Sequence, residues 1–263
     1  MGVRACCGGR AVNCAGTLDR LAGTFWERLR RDSSGLLGEL LEIGPLDTAH
    51  AIGNPEPFTD FALQRGQERL VEARFRDAKG QAFTSFPSSW RGTVGDILQL
   101  SLQEDRERAF FVAAVNAVGK HLGWGEKTVH CKDSSPKLCG EKIGARLADE
   151  LGAKGRVALV GYQPAILKGL TVSLSADRVC VTDLNPENIG RNVDGVIVLD
   201  GDNDLERAAS WSDMALATGS TLTNGTIDVI LKAFQGKRIV FFGTTIAVPA
   251  ALLGFERLCF EAE

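Results

Sequence analysis

No apolar run in this 263-residue sequence approaches the roughly 20 residues that span a bilayer, so no membrane partner is expected. Nor is a strongly basic face available. The net charge is −3 with acids and bases interspersed, which argues against a nucleic-acid partner. Histidine is scarce: His50, His121 and His130 stand far apart, and no Ser-His-Asp set can be argued from them. The fingerprint G-x-G-x-x-G is absent, so an ordinary dinucleotide site has no support. Disulfide spacing is absent too, since the seven cysteines are odd in number and unevenly spread. The opening MGVRACCGGRAVNCAG has arginines but no continuous apolar core, so no secretory signal is expected. A reducing, cytoplasmic setting follows as the expectation. Gly2 invites N-myristoylation, but Cys6 stands where that pattern wants Ser or Thr. Residues 1–17 are expected to form a disordered tail.

What is present is a globular profile, 44% hydrophobic and 24% charged, long enough for one large domain or two ordinary ones. Leu18, Phe25, Trp26 and Leu29 predict a helix over about 18–31, and a second is expected over about 35–43, stopped by Gly44 and Pro45. The stretch AIGNPEPFTDFALQRGQ is rich in turn formers. LVEARF and QAFTSF around DAKG predict a β-hairpin within 70–85. Thr93–Leu102 suits a short helix. RAFFVAAVNAVGKHLG is apolar on nearly every face and predicts a buried helix. Its one polar intruder, Asn116, is either a satisfied core amide or a residue lining a cleft between domains. Ser135 and Pro136 predict a helix start, with Ser135 as the capping hydroxyl. Cys139, Ile143, Leu147 and Leu151 then form one apolar stripe, and Gly152 ends the helix.

From residue 156 the pattern changes. RVALVG, RVCVTD, GVIVLD, MALATG and KRIVFFG are five short β-rich runs, with helical stretches at about 164–170 and 226–235. Strand–helix alternation predicts a parallel sheet with crossover helices. The expected fold class is α/β: a Rossmann-like, parallel-rich sheet over 154–263, preceded by a smaller α+β domain over 18–153.

Ligands of open α/β sheets bind outside the carboxyl ends of the strands, so the residues after each run are the candidates. Gly161 permits a tight turn and Pro164 starts a helix. Asp183 and Asn185 follow the second run, where an acid can hold a ribose diol; they can equally build a plain Asx turn. The fourth run is followed by Thr218, Gly219, Ser220, Thr221, Leu222, Thr223, Asn224, Gly225 and Thr226. This loop is expected to bind an anionic group. Its hydroxyls and glycines lie before a helix N-terminus capped by Thr226, and Asn224 is expected to turn left-handed and form a nest of N–H groups. Gly243 and Thr244 begin a third such loop. A separate constellation, His130, Cys131 and Cys139, can ligate a soft metal, although its spacing is no known zinc pattern. Cys139 can equally pack as a small hydrophobe.

The motifs AFFVAAVNAV, TVHCKDSSPKLCG, RVALVGYQPAIL, VTDLNPENIG, ATGSTLTNGTID and FFGTTIAVPAALLG occur in this order. Together the chain resembles, over roughly residues 60–260, the prokaryotic family described as "putative heavy-metal chelation". The resemblance implies an enolase-N-terminal-like α+β domain followed by a Rossmann-like domain, with a site in the cleft between them. That site would take Asn116, His130 and Cys131 from the first domain. From the second it would take Gly161, Pro164, Asp183, Asn185, Thr218, Gly219, Ser220, Asn224, Gly225, Thr226, Gly243 and Thr244. Residues 1–20 match nothing in the family, and 46–60 depart from its N-terminal hairpin. The expected function is binding of a small molecule, a metal or a metal chelate, with a transition metal as the bound group. The alternative is an enzyme acting on a small anionic substrate with a nucleoside-bearing cofactor such as S-adenosylmethionine. A third reading is a homo-oligomeric scaffold.

Overall fold

The structure, a computed structural model, describes residues 16–54 and 68–263. The expected disordered tail lies almost wholly outside the described residues, as does most of the turn-rich stretch after residue 54.

The first layer is an antiparallel sheet. Helix α1 (Thr17–Asp32) and a short 3-10 turn (Ser34–Gly38) lead into β1 (Leu40–Leu46), followed by helix α2 (Thr48–Ile52). Strands β2 (Arg69–Phe75) and β3 (Ala78–Thr84) form the expected hairpin, and β4 (Trp90–Thr93) completes the order β3-β2-β1-β4. The helix expected over 35–43 is thus a 3-10 turn through Gly38 and strand from Leu40 on. Leu41 and Ile43 are buried while Leu40 and Glu42 are exposed, a period of two that sheet pairing rewards. Pro45 sits inside β1 rather than stopping it: β4 pairs only with Leu40–Ile43, so Pro45 has a strand on one side alone. The hairpin turn is Arg76–Asp77, not DAKG. Gly80 belongs to β3, where a Cβ would lie 2.2 Å from the backbone nitrogen of Ala117.

The helix pressed against that glycine is α4 (Asp105–His121), buried from Ala109 through Gly119 as its all-round apolar sequence predicts. The short helix α3 (Val94–Ile97) covers only part of the expected 93–102 and is held by a reciprocal Thr93–Asp96 capping box. Helix α5 (Ser135–Leu151) begins with proline as expected, but Ser135 is its first helical residue and no side chain caps it. Gly152 ends it with φ 60.

The second sheet has the order β11-β10-β9-β5-β6-β8-β7. All five expected runs are strands: β5 (Val157–Val160), β6 (Val179–Asp183), β8 (Val196–Asp200), β9 (Met214–Thr218) and β10 (Arg238–Phe242). Every pairing is parallel except that of the two-residue β7 (Asn192–Val193) with β8. Strands β7 and β11 (Glu256–Leu258) were not anticipated. The helices are α6 (Pro164–Leu174), α7 (Leu205–Trp211), α8 (Ile227–Ala233) and α9 (Ala247–Leu253).

The central strands β5 and β9 are buried on both faces along nearly their whole length, which is why they read as continuous apolar runs, whereas Ile197 of β8 is 56% exposed. Val157, Leu159, Leu216 and Val240 share a core with Ile143 and Leu147 of α5 and Leu167 and Leu170 of α6. Helix α5 therefore packs with the second sheet, although the sequence pattern placed it before the domain border. The alternate residues Ala158, Ala215, Ala217 and Phe241 join one core with α1, α4 and the first sheet. A single apolar layer thus joins the two sheets, and it fixes what faces what at the carboxyl edge.

Candidate functional site

Strand β5 is the switch point of the second sheet. The chain leaves it toward β6 and β8 on one side, then returns to β9, β10 and β11 on the other. Loops after β5 and β9 diverge there and open a crevice. A cavity of about 730 Å³ occupies it, closed on the far side by first-layer residues including Ile52, Glu68, Phe83 and His130. Among the predicted residues, Gly161, Pro164, Asp183, Asn185, Thr218, Gly219, Ser220, Asn224, Thr226, Gly243, Thr244, His130, Cys131 and Cys139 all line it. Asn116 and Gly225 do not.

The wall after β5 is set by close approach. Gly161 has φ +91, and a Cβ on it would lie 2.5 Å from Cγ2 of Thr218. Gln163 accepts from the Ile166 N–H at 2.6 Å and caps α6 just ahead of Pro164. Asp183 is engaged on both oxygens. Oδ2 accepts from the Tyr162 N–H at 2.7 Å; Oδ1 accepts from the Asn185 N–H at 2.8 Å and from Asn188 Nδ2 at 3.1 Å. Its carboxylate orders two loops, so the turn-building reading describes what it does here.

The 218–226 loop differs from expectation in three respects. Its hydroxyls mostly point inward: Thr221 donates to Thr218 O, Thr223 to Ser220 O and Thr226 to Asn224 Oδ1. Gly225, not Asn224, takes the left-handed conformation, with φ +79. Thr226 occupies the cap position of α8 without a side-chain cap bond. Gly225 is exposed and turned from the cavity, and a Cβ there would meet Arg108 at 3.5 Å. The Arg108 guanidinium donates to Thr223 O at 2.7 Å and thereby buttresses the loop from α4. Thr218 and Ser220 share one hydroxyl contact of 3.0 Å, and both face the cavity.

Asn116 is the satisfied amide. Its Nδ2 donates to Gln81 O, Thr244 O and Thr245 O at 3.0 to 3.2 Å, and Oδ1 accepts from the Val248 N–H at 2.9 Å. It stands behind the third loop and ties the two layers together. Thr245 Oγ1 in turn accepts from the Phe83 N–H at 3.1 Å. Two hydroxyls on the wall have no hydrogen-bond partner among the described residues: Thr182 Oγ1 and Thr244 Oγ1, both on residues about 1% exposed.

On the facing wall, the Gln81 side chain accepts from the His130 N–H at 2.8 Å and fixes that residue. His130 Nδ1 bonds the Cys131 carbonyl at 2.6 Å, and the ring stands edge-on to Phe83. Burial pushes its pKa down to about 4, so the ring is neutral and Nε2 carries a lone pair. Glu68 escaped the sequence reading. Burial, then the charge of Asp183, pushes its pKa up to about 7. Cys259 also escaped: it lines the cavity with Cys131 and Cys139 but comes from the segment after β11. No local pattern marks either residue, because only the fold brings them here. His130, Cys131 and Cys139 share the wall without forming a ligand set. Among the described residues, no three His, Cys, Asp or Glu side chains are grouped so as to hold a metal ion. The described wall carries four acids, Glu68, Asp183, Glu187 and Asp202, and no lysine or arginine.

Residues 146–256 match the family DUF364, described as "Putative heavy-metal chelation". Two solved structures of DUF364 proteins of unknown function are similar to the chain. One, from Pyrococcus horikoshii, is 19% identical and covers 88% of this chain and 79% of its own, with a TM-score of 0.46. The other, from Desulfitobacterium hafniense DCB-2, is 14% identical and covers 70% of this chain and 72% of its own, with a TM-score of 0.45. No curated protein matches the chain. No helix among the described residues is long and apolar enough to cross a membrane.

Proposed function

We propose, from the match of residues 146–256 to the family DUF364 described as "Putative heavy-metal chelation", that the chain binds a small cationic ligand, a metal chelate, in the cavity between its two layers. The observation that carries this reading is the charge of the described wall: four acids and no lysine or arginine. The acids of that wall, Asp183, Glu187 and Asp202 foremost, repel an anion and draw in a cation.

A bare heavy-metal ion does not fit. Its ligands must converge on one point at about 2.0–2.3 Å, and the described side chains offer no such group of three. A metal that arrives with its own chelator needs few donors from the protein. It needs a mould of the right size, and 730 Å³ lies within the range of small-molecule sites. The strand-end loops supply the mould, and the unpartnered hydroxyls of Thr182 and Thr244 supply polar contacts for the chelator.

The alternative, an enzyme acting on a small anion with a nucleoside-bearing cofactor, has less support. Its main residue, Asp183, is committed to the Tyr162, Asn185 and Asn188 donors. The anion loop has spent three of its hydroxyls on itself.

A thermal-shift series separates the two. The probes are copper(II) bis(ethylenediamine) and hexaamminecobalt(III) as cationic metal complexes, ethylenediamine alone, adenosine nucleotides, S-adenosylmethionine and inorganic phosphate. Ligands bound only by the folded state raise Tm. The expected result is a rise with a metallated probe and none with phosphate or nucleotide. A rise with nucleotide or phosphate but not with the metal chelates overturns the reading.

A further inference from the structure

Among the described residues, the fold engages one ring nitrogen of His130 and leaves the other without a partner. Nδ1 lies 2.6 Å from the Cys131 carbonyl oxygen. A carbonyl oxygen can only accept, so Nδ1 carries the ring proton and Nε2 is the basic nitrogen. The ring lines the cavity. Metal-binding imidazoles are commonly set this way. A backbone carbonyl takes the N–H of one nitrogen and fixes tautomer and ring plane, and the other nitrogen is left to the metal. The two remaining histidines give the contrast. Both ring nitrogens of His121 are engaged, Nδ1 by Asp77 at 2.8 Å and Nε2 by Arg76 Nη1 at 3.0 Å. His50 lies outside the cavity on α2, with its side chain 77% exposed and its Nδ1 against Asp47.

The His130 ring is held in place before any ligand arrives. The His130 N–H donates to Gln81 Oε1 at 2.8 Å, and Gln81 Nε2 donates in turn to the Glu72 carboxylate at 2.9 Å. Gln81 and Glu72 are both buried. Phe83 stands edge-on to the imidazole with centroids 5.7 Å apart, and its own N–H is tied to Thr245 Oγ1 at 3.1 Å. Gln81 O accepts from Asn116, which also donates to Thr244 O. His130 on one wall and Thr244 on the other are therefore fixed relative to each other through Gln81 and Asn116. On that opposite wall, Thr182 Oγ1 and Thr244 Oγ1 are buried without a hydrogen-bond partner among the described residues, a second and separate sign that the space is shaped for a ligand.

We propose that His130 Nε2 is the protein's donor to the metal of the bound chelate, and that the ligand class is a cationic complex with one coordination position open to an imidazole nitrogen. This rests on the reading of the cavity as a chelate site and says how the metal itself is recognised. A lone imidazole cannot hold a bare ion, but it completes a coordination sphere that a chelator leaves one donor short. The step is a ligand exchange. The Nε2 lone pair forms a metal–nitrogen bond as the bond from the metal to a water breaks and the water leaves. No proton moves, because Nε2 carries none, and no electron is transferred. Imidazole suits zinc, copper, iron and nickel and their heavier relatives, not calcium or magnesium, and that sets which chelates gain from the ring. A complex with every position filled should enter on charge and size alone and gain nothing from His130.

The test uses the full chain at pH 7 with pentaammineaquaruthenium(II), a dication with fixed ammines and one exchangeable water. Air oxidation then makes any ruthenium–imidazole bond inert, and peptide mapping reads His50, His121 and His130 together. The expected result is ruthenium on His130, gained roughly tenfold faster than on His50 although His50 is the more exposed, because an acid-lined cleft concentrates a cation. His121 should stay unlabelled. Hexaamminecobalt(III), a cation of similar shape with no exchangeable position, should slow the labelling of His130 and leave that of His50 unchanged. A His130 that is unlabelled, or labelled no faster than His50, overturns the proposal. So does labelling that hexaamminecobalt(III) fails to slow, or ruthenium found on the cavity cysteines in place of His130. The fate of the chelate reading is separable from these outcomes. A Tm rise with hexaamminecobalt(III) beside an unlabelled His130 removes only the role of the ring, whereas no Tm rise with any cationic complex removes the chelate reading itself.

Discussion

Along the carboxyl edge of the parallel sheet most polar groups are spent on one another, whereas on the facing wall partial burial moves titratable groups off their ordinary pKa values. Asp183 holds two loops, the 218–226 hydroxyls hold their own carbonyls, and Gln163 caps its own helix. Across the cavity, burial holds the His130 pKa down to about 4, and burial with the charge of Asp183 holds the Glu68 pKa up to about 7. The edge is a mould, rigid because it is self-satisfied. The facing wall is where chemistry is available, because its groups have been pushed off their ordinary pKa values.

The largest expected effect breaks the joint between the two walls. Asn116→Leu would leave Gln81 O, Thr244 O, Thr245 O and the Val248 N–H without their amide partner. Each stranded buried group costs about 1–3 kcal/mol, partly shared, so a loss of roughly 3–5 kcal/mol is expected in urea unfolding. Binding of any cavity probe should fall with it, since the 243–245 loop loses its support. An Asn116→Leu protein within 1 kcal/mol or so of the parent would mean that the two walls are not joined here.

The next effect sharpens the contrast through pH. Below about pH 6.5 the unfolded chain takes up a proton that folded His130 refuses until about pH 4, so this group removes stability as pH falls through that window. Glu68 acts oppositely. The unfolded chain releases its proton above about pH 4.5, while the folded carboxyl keeps it to about pH 7, so this group's stability is full at low pH and is lost as pH rises through that range. In the parent the two slopes largely cancel between pH 4.5 and 6.5. Glu68→Gln should uncover the first, and stability relative to the parent should rise by roughly 2–3 kcal/mol from acid to neutral pH. His130→Asn should uncover the second, with the opposite slope. Parallel pH profiles for parent and both variants would show that neither group is held off its ordinary value.

How far these walls could be read from sequence differs for the same reason that they are built differently. The strand-end wall was legible because each of its loops directly follows an apolar run, and topology alone sends those ends to one edge. Gly161, Asp183, Thr218 and Thr244 were found by that rule. What the rule could not give was the direction of each hydroxyl, which depends on carbonyls within the same loop. The facing wall was only half legible. His130 and Cys131 stand out as a pair, but Glu68 precedes an ordinary hairpin strand and Cys259 follows an edge strand of three residues. Their places are set by long-range packing. In the fold, the error at 35–43 came from reading Leu41 and Ile43 as helix when their spacing of two was the better guide. The five parallel strands were right because each is a short apolar, β-branched run between helical stretches, and in β5 and β9 burial on both faces leaves little else for the run to be.

The smallest effect tests whether the mould is complete without a ligand. Thr244 Oγ1 is buried on the cavity wall and has no hydrogen-bond partner among the described residues, and the same holds for Thr182 Oγ1. A hydroxyl in that state costs the empty protein free energy, because it gave up water and received nothing. Valine matches threonine in shape and lacks the hydroxyl. Thr244→Val should therefore stabilise the empty protein by about 1 kcal/mol, seen as a higher Tm. Had the hydroxyl served the fold through a bond, the same change would lower Tm instead. If a chelator supplies the missing partner, the variant should also gain less from copper(II) bis(ethylenediamine) than the parent does, and its Kd should rise by roughly tenfold, the value of one hydrogen bond to a charged group. The two signs together, more stable when empty and weaker when loaded, are what a ligand contact requires. A Thr244→Val protein that is less stable when empty, or equally tight when loaded, would place that hydroxyl with the self-satisfied groups of the strand-end wall.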